Sequence, residues 1–274
     1  MKMLLCSIGS AQRKNTLRFA LALGRAMAAE VTLLGIASKK RKIDDLAKAL
    51  LVDAQGFTAE GLPVQVRVEA GDAEAVAMHE IESNTYDVVV LGALGQRRSR
   101  RKLVDSVAMR IIEKARTSVL LVKGSRPDIS RVLICASASE YGHLSVWAGA
   151  AIACGASAKA TVLHVADPMP TMYAGLEQME ETLAELLQSE TEMAQELKWA
   201  AQVVRAECEI SELKLRRGLA ADEILLEGSE GDYDLIVLGS SLAGGGLVRA
   251  LMGDLTREIV TRAQRPVLVV RPIS

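Results

Sequence analysis

The sequence predicts an α/β protein made of two repeated domains, each a doubly wound parallel sheet with helices on both faces. Short aliphatic runs alternate with helical patterns along all 274 residues, and this alternation builds parallel sheets through right-handed crossovers. Half of the residues are hydrophobic but only 3% are aromatic, which suits close packing of helices on buried strands. The second half of the chain also repeats the first, and a repeat of this length indicates duplicated domains.

The repeat is clearest in four pairs of predicted strands. Two pairs are offset by 129 residues: LLCSIGS from Leu4 with LICASAS from Leu133, and TLLGIA from Thr32 with TVLHVA from Thr161. DVVVLG from Asp87 matches DLIVLG from Asp234 at an offset of 147 residues, and SVLLV from Ser118 matches PVLVV from Pro266 at an offset of 148 residues. We therefore expect domains at residues 1–126 and 127–274, joined by the short turn 124–127.

The elements of the first domain follow from local patterns. Aliphatic runs predict strands over residues 2–8, 31–37, 64–69, 87–91 and 118–123, and helical periodicity predicts helices over residues 15–29, 43–55, 72–83 and 104–116. The second domain repeats this order with about eighteen extra residues between its second and third strands.

The extra residues belong to an insertion over residues 171–205. Apolar residues recur there at helical spacing among glutamates: Leu176, Met179, Leu183, Leu186 or Leu187, Met193 and Leu197. This pattern predicts an amphipathic cover for the domain, and docking of a partner is the alternative.

Two stretches combine a buried strand, a glycine-rich loop and a predicted helix start: residues 87–106 and 234–254, with the second helix expected near Gly253 and Asp254. Backbone amides at such a helix start favour anions, and ligands of open parallel sheets bind at the carboxyl ends of the strands. The candidate binding residues are Gly9, Ser10, Gly92, Gly95, Arg97, Arg98, Ser99, Ser106, Ser137, Ser139, Gly239, Ser240, Gly244 and Gly253.

Charge is divided unevenly between the halves, with +8 on residues 1–126 and −9 on residues 127–274. The basic runs 97–102 and 39–42 both follow strands at the predicted carboxyl edge. They could bind an anion or an acidic partner, or they could form a solvated rim that interacts with the acidic half. Neither Phe19 nor Phe57 lies in these loops, so the stacking aromatics typical of nucleic-acid binding are missing.

Several function classes are disfavoured. No apolar run reaches the length of a membrane span and the N-terminus does not resemble a signal peptide, so we expect a cytoplasmic protein. The four cysteines form no CxxC pair and are expected to be reduced core thiols. The three histidines are far apart and accompany no nucleophile motif, so the sequence predicts no metal site and no catalytic residues.

The whole chain resembles a tandem universal stress protein. The resemblance rests on the first strand of each half, on LHVADP at 163–168, on the glycine loop after each fourth strand and on the closing strands SVLLV and PVLVV. It implies strand order 3-2-1-4-5 in each domain. It also implies that the two closing strands pair in a pseudo-dimer within one polypeptide or with a partner chain, and a homodimer of chains is left open.

The resemblance also bears on ATP, because family members divide into ATP binders and non-binders. The binders carry G-x2-G-x9-G-S/T after strand four and usually an Asp at the end of strand one. Here the first half has Gly92, Gly95 and Ser106 but Asp105 for the third glycine, and the second half has Gly253 but Asp254 for the hydroxyl. Ile8 and Ser137 stand where the strand-one Asp is expected.

These departures argue against the usual mode of ATP binding, because a carboxylate near phosphate repels it. Asp254 is instead expected to cap a helix. The sequence favours a non-catalytic regulatory protein of the stress-response type. If a ligand binds, the first cleft is the expected place, and an adenine nucleotide or another anionic small molecule is the expected ligand. A slow ATPase at that cleft and a ligand-free interaction scaffold are the alternatives.

Overall fold

The computed structural model describes residues 1–7, 13–92, 107–124, 126–137, 139–166, 183–208, 210–240 and 247–272. Ten strands of the described residues belong to one sheet. They are β1 Lys2–Ser7, β2 Glu30–Ala37, β3 Val64–Ala70, β4 Val88–Gly92, β5 Ser118–Val122, β6 Arg131–Ala136, β7 Lys159–Ala166, β8 Ile210–Arg217, β9 Leu235–Gly239 and β10 Val267–Val270.

The strand order is β3-β2-β1-β4-β5-β10-β9-β6-β7-β8. Each half therefore has the order 3-2-1-4-5, and its strands are parallel. The two halves meet where β5 and β10 pair antiparallel, with Leu120 opposite Leu268. Both the predicted fold and the pairing of the closing strands within one chain are confirmed, whereas the domain boundary at residue 126 stays a prediction.

Helices cover both faces of the sheet, because successive strand residues point to opposite sides. Met3 and Leu5 belong to the core on one side, and Leu4 and Cys6 belong to the core on the other. The first core packs under α1 Arg13–Ala26, α2 Ile43–Ala59, α5 Glu140–Gly155 and α7 Glu192–Glu207; the second packs under α3 Ala73–Ser83, α4 Val107–Lys114, α8 Ala220–Glu230 and α9 Leu247–Arg262.

The predicted helical segment 171–205 contains two described helices rather than one, and its Leu176 and Met179 lie outside the described residues. The short α6 Leu183–Gln188 precedes α7, and Thr191 caps α7 by accepting a hydrogen bond from the amide of Ala194. Leu186 and Leu197 are buried together beside β8, so the predicted amphipathic cover is confirmed for this part. The helix α7 lies on the same face as α2 and is the regular second helix of its repeat.

The start of α9 differs from the expectation. The helix begins at Leu247, so Gly253 and Asp254 lie in its interior and the prediction that Asp254 caps a helix start is wrong. The reason is local, because LVRALM at residues 247–252 is a run of residues that mostly favour helix.

The repeats are related by an approximate twofold axis that passes near the paired residues Leu120 and Leu268. Ala26 of α1 and Gly155 of α5 are equivalent at the offset of 129 residues, and they also meet at this axis. A Cβ atom on Gly155 would lie 1.9 Å from the carbonyl oxygen of Ala26. Glycine is therefore required where the two helices approach each other.

Buried cations are exchanged across the interface of the repeats. Lys123, which follows β5, donates to the carbonyl oxygens of Val260 and Ala263 at the end of α9. Arg271, which follows β10, donates to those of Ile112 and Ala115 at the end of α4. Unpaired carbonyls and the negative end of the helix dipole favour a cation at such a place.

Burial lowers the pKa of Lys123 to about 8 and that of Arg271 to about 10. Both groups are therefore mostly charged near neutral pH, as the carbonyl oxygens around them require. Each repeat therefore supplies the cation that donates hydrogen bonds to the carbonyl oxygens at the end of the last helix of the other repeat.

A buried tyrosine–glutamate network occurs in both repeats. Tyr86 donates to Glu80 at 2.6 Å, and Tyr233 donates to Glu227 at 2.8 Å. Lys214 and Arg216 also donate to Glu227, each at 2.8 Å. The two glutamates and the two tyrosines are each separated by 147 residues, so the network is part of the repeat.

We predict that Gly155→Ala destabilises the protein by about 1–3 kcal/mol, because the new methyl group overlaps the carbonyl of Ala26. Gly56→Ala in α2 is the matched control. A Cβ there meets nothing within 4 Å, so this change should stabilise by about 0.5–1 kcal/mol. Urea unfolding of the two variants measures both effects. Equal stability of Gly155→Ala and the native protein would contradict the close helix crossing.

We predict that Glu227→Gln loses about 1–3 kcal/mol of stability at pH 7, because the buried cations and Tyr233 keep only part of their hydrogen bonding. Burial raises the pKa of Glu227, but the hydrogen bonds from Lys214, Tyr233 and Arg216 outweigh it, so the pKa lies below its usual value. The contribution of this carboxylate is therefore present above the pKa of the unfolded chain and is lost as pH falls through the folded pKa.

The measurement is urea unfolding between pH 7 and pH 3. The gap between native protein and Glu227→Gln should narrow toward acid pH. Glu230→Gln is the control, because the Glu230 side chain is exposed and also pairs with Arg216; its effect should stay within about 0.5 kcal/mol. A gap for Glu227→Gln that does not depend on pH would contradict this interpretation.

Candidate functional site

The candidate site lies at the carboxyl edge of the first repeat, between the ends of β1 and β4. These strands are neighbours in the sheet, and the helices that follow them, α1 and α4, lie on opposite faces. The strand order reverses at this point, and such a crevice is where open α/β sheets bind ligands. Gly92 is the last residue of β4 and therefore lies at the expected place.

Most of the predicted loop residues cannot be located. Gly92 is the one first-repeat candidate among the described residues. The other predicted residues of this crevice lie outside them: Gly9, Ser10, Gly95, Arg97, Arg98, Ser99 and Ser106. Their role as ligand contacts stays a prediction.

The described part of the crevice has a small cavity of about 20 Å³ beside Gly92, lined by Cys6, Arg13, Thr16 and Leu17 together with strand and helix leucines. A volume of this size holds about one water molecule. The described residues therefore line a small cavity beside Gly92 at the place where the sequence predicts the site.

Arg13 is a site residue that the sequence predictions missed. It lies in the first turn of α1 and pairs with Asp53 of α2. Its Nε is buried and, among the described residues, has no hydrogen-bond partner. A guanidinium at a helix start adds positive charge where anions are already favoured. A signal was present in the sequence, since Arg13 comes three residues after the candidate residue Ser10.

The second repeat has a differently built crevice. Gly142 occupies the position equivalent to Arg13, and a Cβ there would lie 2.1 Å from the carbonyl oxygen of Ser137. A Cβ on Gly239 would lie 1.8 Å from the carbonyl oxygen of Tyr141. The first turn of α5 therefore packs directly on the ends of β6 and β9, and no cation replaces Arg13 at its equivalent position.

The predicted serines of the second repeat have local hydrogen bonds. Ser139 caps α5 by accepting from the amide of Gly142, and its hydroxyl lies 3.0 Å from that of Ser137. Ser240 is buried, and its hydroxyl accepts from Thr256 at 3.3 Å. Gly239 ends β9, and Gly244 lies outside the described residues. Binding by these residues stays a prediction.

The second basic run is at the same edge of the sheet as the first crevice. A short 3-10 helix, Lys40–Lys42, follows the end of β2, and the side chains of Lys39, Lys40 and Lys42 are exposed. The run at 97–102 lies outside the described residues, so a common basic rim stays a prediction.

The cysteines are only partly the core thiols that were expected. Cys6 is buried, Cys135 and Cys208 are half-buried, and Cys154 is exposed. Burial raises the pKa of both Cys6 and Cys135 to about 12. Cys6 borders the candidate site as a neutral thiol, whereas a nucleophilic cysteine needs a lowered pKa.

Among the residues that the structure describes, no group of three or more histidine, cysteine, aspartate or glutamate side chains is placed to hold a metal ion. None of the described helices combines the length and the apolar character that crossing a membrane requires.

The model of the Universal stress protein family matches the sequence twice, at residues 1–123 and 129–271. Since the two matches cover nearly the whole chain, the protein belongs to this family and contains two tandem copies of its domain. A comparison with curated proteins found no match.

Solved structures show the same architecture over the full length. A universal stress protein from Archaeoglobus fulgidus DSM 4304 is 18% identical and has a TM-score of 0.71, covering 100% of this chain and 97% of its own. A functionally unknown protein from Pseudomonas aeruginosa PAO1 is 18% identical with a TM-score of 0.73, covering 99% of this chain and 92% of its own. At this identity the likeness concerns the fold.

Proposed function

We propose that the protein is a non-catalytic stress-response regulator that binds an adenine nucleotide or a similar anionic small molecule in the crevice of the first repeat. The observation that carries the proposal is the contrast between the repeats. Arg13 lies beside Gly92 in the first crevice, whereas Gly142 packs on the strand end in the second.

The charge around the first crevice supports an anionic ligand. Arg13 contributes a buried guanidinium nitrogen at the start of α1, and Lys39 begins a basic segment at the end of the neighbouring β2. The sequence from Gly92 to Ser106 keeps the spacing of Gly92, Gly95 and the Ser106 hydroxyl that is typical of a phosphate cradle. Phosphate oxygens are natural acceptors for such a set of donors.

The absence of catalysis is proposed on chemical grounds. Ile8, which follows β1 in the sequence, offers no group to bind a metal ion or orient water. Cys6 is held as a neutral thiol. We therefore propose that the site binds its ligand without hydrolysing it. If ATP hydrolysis is detected, a slow ATPase replaces this proposal.

We predict that Mg-ATP binds the native protein with micromolar affinity, and that Arg13→Met weakens it roughly tenfold to a hundredfold because a charge-assisted hydrogen bond is lost. Arg25→Met is the matched control, since Arg25 lies in the last turn of the same helix; its affinity should not change. The double variant Arg97→Ala, Ser106→Ala tests the loop. Isothermal titration calorimetry measures all four proteins.

The absence of heat at millimolar nucleotide would contradict nucleotide binding and would favour the interaction scaffold. Equal loss in Arg13→Met and Arg25→Met would contradict the position of the site. Phosphate release measured on the same samples decides between binding and hydrolysis. Circular dichroism melting of each variant establishes that it is folded.

A further inference from the structure

We propose that Cys154 and Cys208 form a redox-sensitive pair, which a small-molecule disulfide converts from two neighbouring thiols to one disulfide within the chain. Both cysteines lie in the second repeat. Cys154 is the last residue but one of α5, and Cys208 comes directly after the last residue of α7. Cys154 is exposed and Cys208 is half-buried, so the pair lies at the surface of the protein.

The packing of α5 and α7 brings the two cysteines to the same level. These helices follow the parallel neighbours β6 and β7 and cover the same face of the sheet, so they run in the same direction. In their first turns, Nε2 of His143 lies 2.8 Å from Oε2 of Glu196. Cys154 follows His143, and Cys208 follows Glu196, after about three helical turns. The ends of the two helices therefore lie side by side.

The first repeat shows that the equivalent helix ends meet. Arg25 is the last residue but one of α1 and is equivalent to Cys154, and Glu60 follows the last residue of α2 as Cys208 follows that of α7. Nε of Arg25 lies 3.4 Å from Oε2 of Glu60. An ion pair of the first repeat is thus replaced by a pair of thiols in the second.

The electrostatic surroundings of Cys208 agree with this placement. Burial raises the pKa of Cys208, and negative charge on the Cys154 and Glu207 side chains raises it further. Cys208 also packs against the core under α5 and α7. A thiol with a raised pKa is a poor nucleophile, so the exposed Cys154 reacts first with a small reagent. The nearness of the second thiol then decides the product.

The oxidation proceeds by two thiol–disulfide exchanges. The Cys154 thiolate attacks one sulfur of the small disulfide, its S–S bond breaks, and the departing thiolate takes up the proton that Cys154 released. Cys208 then attacks the Cys154 sulfur of the mixed disulfide, and the second small thiolate leaves with the proton of Cys208. Two protein thiols are oxidised by two electrons, and one small disulfide is reduced to two small thiols.

The disulfide changes how the two helix ends are joined. It holds its two Cα atoms about 4.4–6.8 Å apart, so it would fix the end of α5 to the end of α7. The exposed ion pair between Arg25 and Glu60 joins the equivalent ends only weakly, since exposed salt bridges contribute little. Oxidation therefore stiffens the second repeat and leaves the first repeat as it is.

We predict that glutathione disulfide lowers the number of free thiols of the reduced full chain from four to two. After the remaining thiols are blocked with N-ethylmaleimide, mass spectrometry of a digest should find the peptides of Cys154 and Cys208 joined, and dithiothreitol should separate them. The oxidised protein should keep the circular dichroism spectrum of the reduced protein and melt at a higher temperature, because a cross-link restricts the unfolded chain.

Three variants assign the reaction to the pair. Cys208→Ser should stop at a mixed disulfide of Cys154 with glutathione, and Cys154→Ser should give no joined peptides and no rise in melting temperature. Cys135→Ser is the matched control from the same repeat. Burial raises the pKa of Cys135 to about 12, so this variant should oxidise as the native protein does. Melting of the reduced variants establishes that they are folded.

Three results would overturn the proposal. The first is a chain that keeps four free thiols, and the second is glutathione retained on both Cys154 and Cys208 without joined peptides. The third is a disulfide that involves Cys6, Cys135 or a second copy of the chain, which the digest and non-reducing electrophoresis detect. The measurements are made without nucleotide, so their outcome is independent of the proposed function.

Discussion

The exchange of buried cations across the antiparallel pair β5–β10 is the interaction on which the arrangement of the two repeats depends. Lys123 belongs to the first repeat and Arg271 to the second. Each donates hydrogen bonds to the carbonyl oxygens at a helix end of the other repeat. An unpaired buried carbonyl costs roughly 1–3 kcal/mol, so removing either cation would leave several buried carbonyls without a donor. The pairing also covers both edge strands, which would otherwise be open to other chains. The two domains therefore behave as one sheet and one folded body.

The interactions that stabilise the fold are repeated in both domains, whereas the residues that line the two crevices differ. The tyrosine–glutamate network and the terminal cations are repeated at equivalent positions. Arg13 and Gly142 are also equivalent, but one supplies a guanidinium at a helix start and the other allows a helix to pack on a strand end. Two similar domains have thereby acquired different surfaces.

The sequence predicts the fold well because each strand is a short aliphatic run and each run occurs twice. The predicted start of α9 is wrong because Gly253 favours the end of a loop, whereas the residues before it mostly favour helix and the helix begins at Leu247. The tyrosine–glutamate network was visible as identical residues at an offset of 147, but its burial follows only from the packing of α3 and α8. Arg13 was missed because its partner Asp53 is forty residues away.

The most direct test of the cation exchange is differential scanning calorimetry of the native protein and the Lys123→Met, Arg271→Met double variant. If the repeats form one cooperative body, the native protein unfolds in a single transition whose calorimetric and van't Hoff enthalpies agree. The double variant should unfold at a lower temperature and in two resolved transitions. Two transitions in the native protein, or a double variant that melts as the native protein does, would contradict the account.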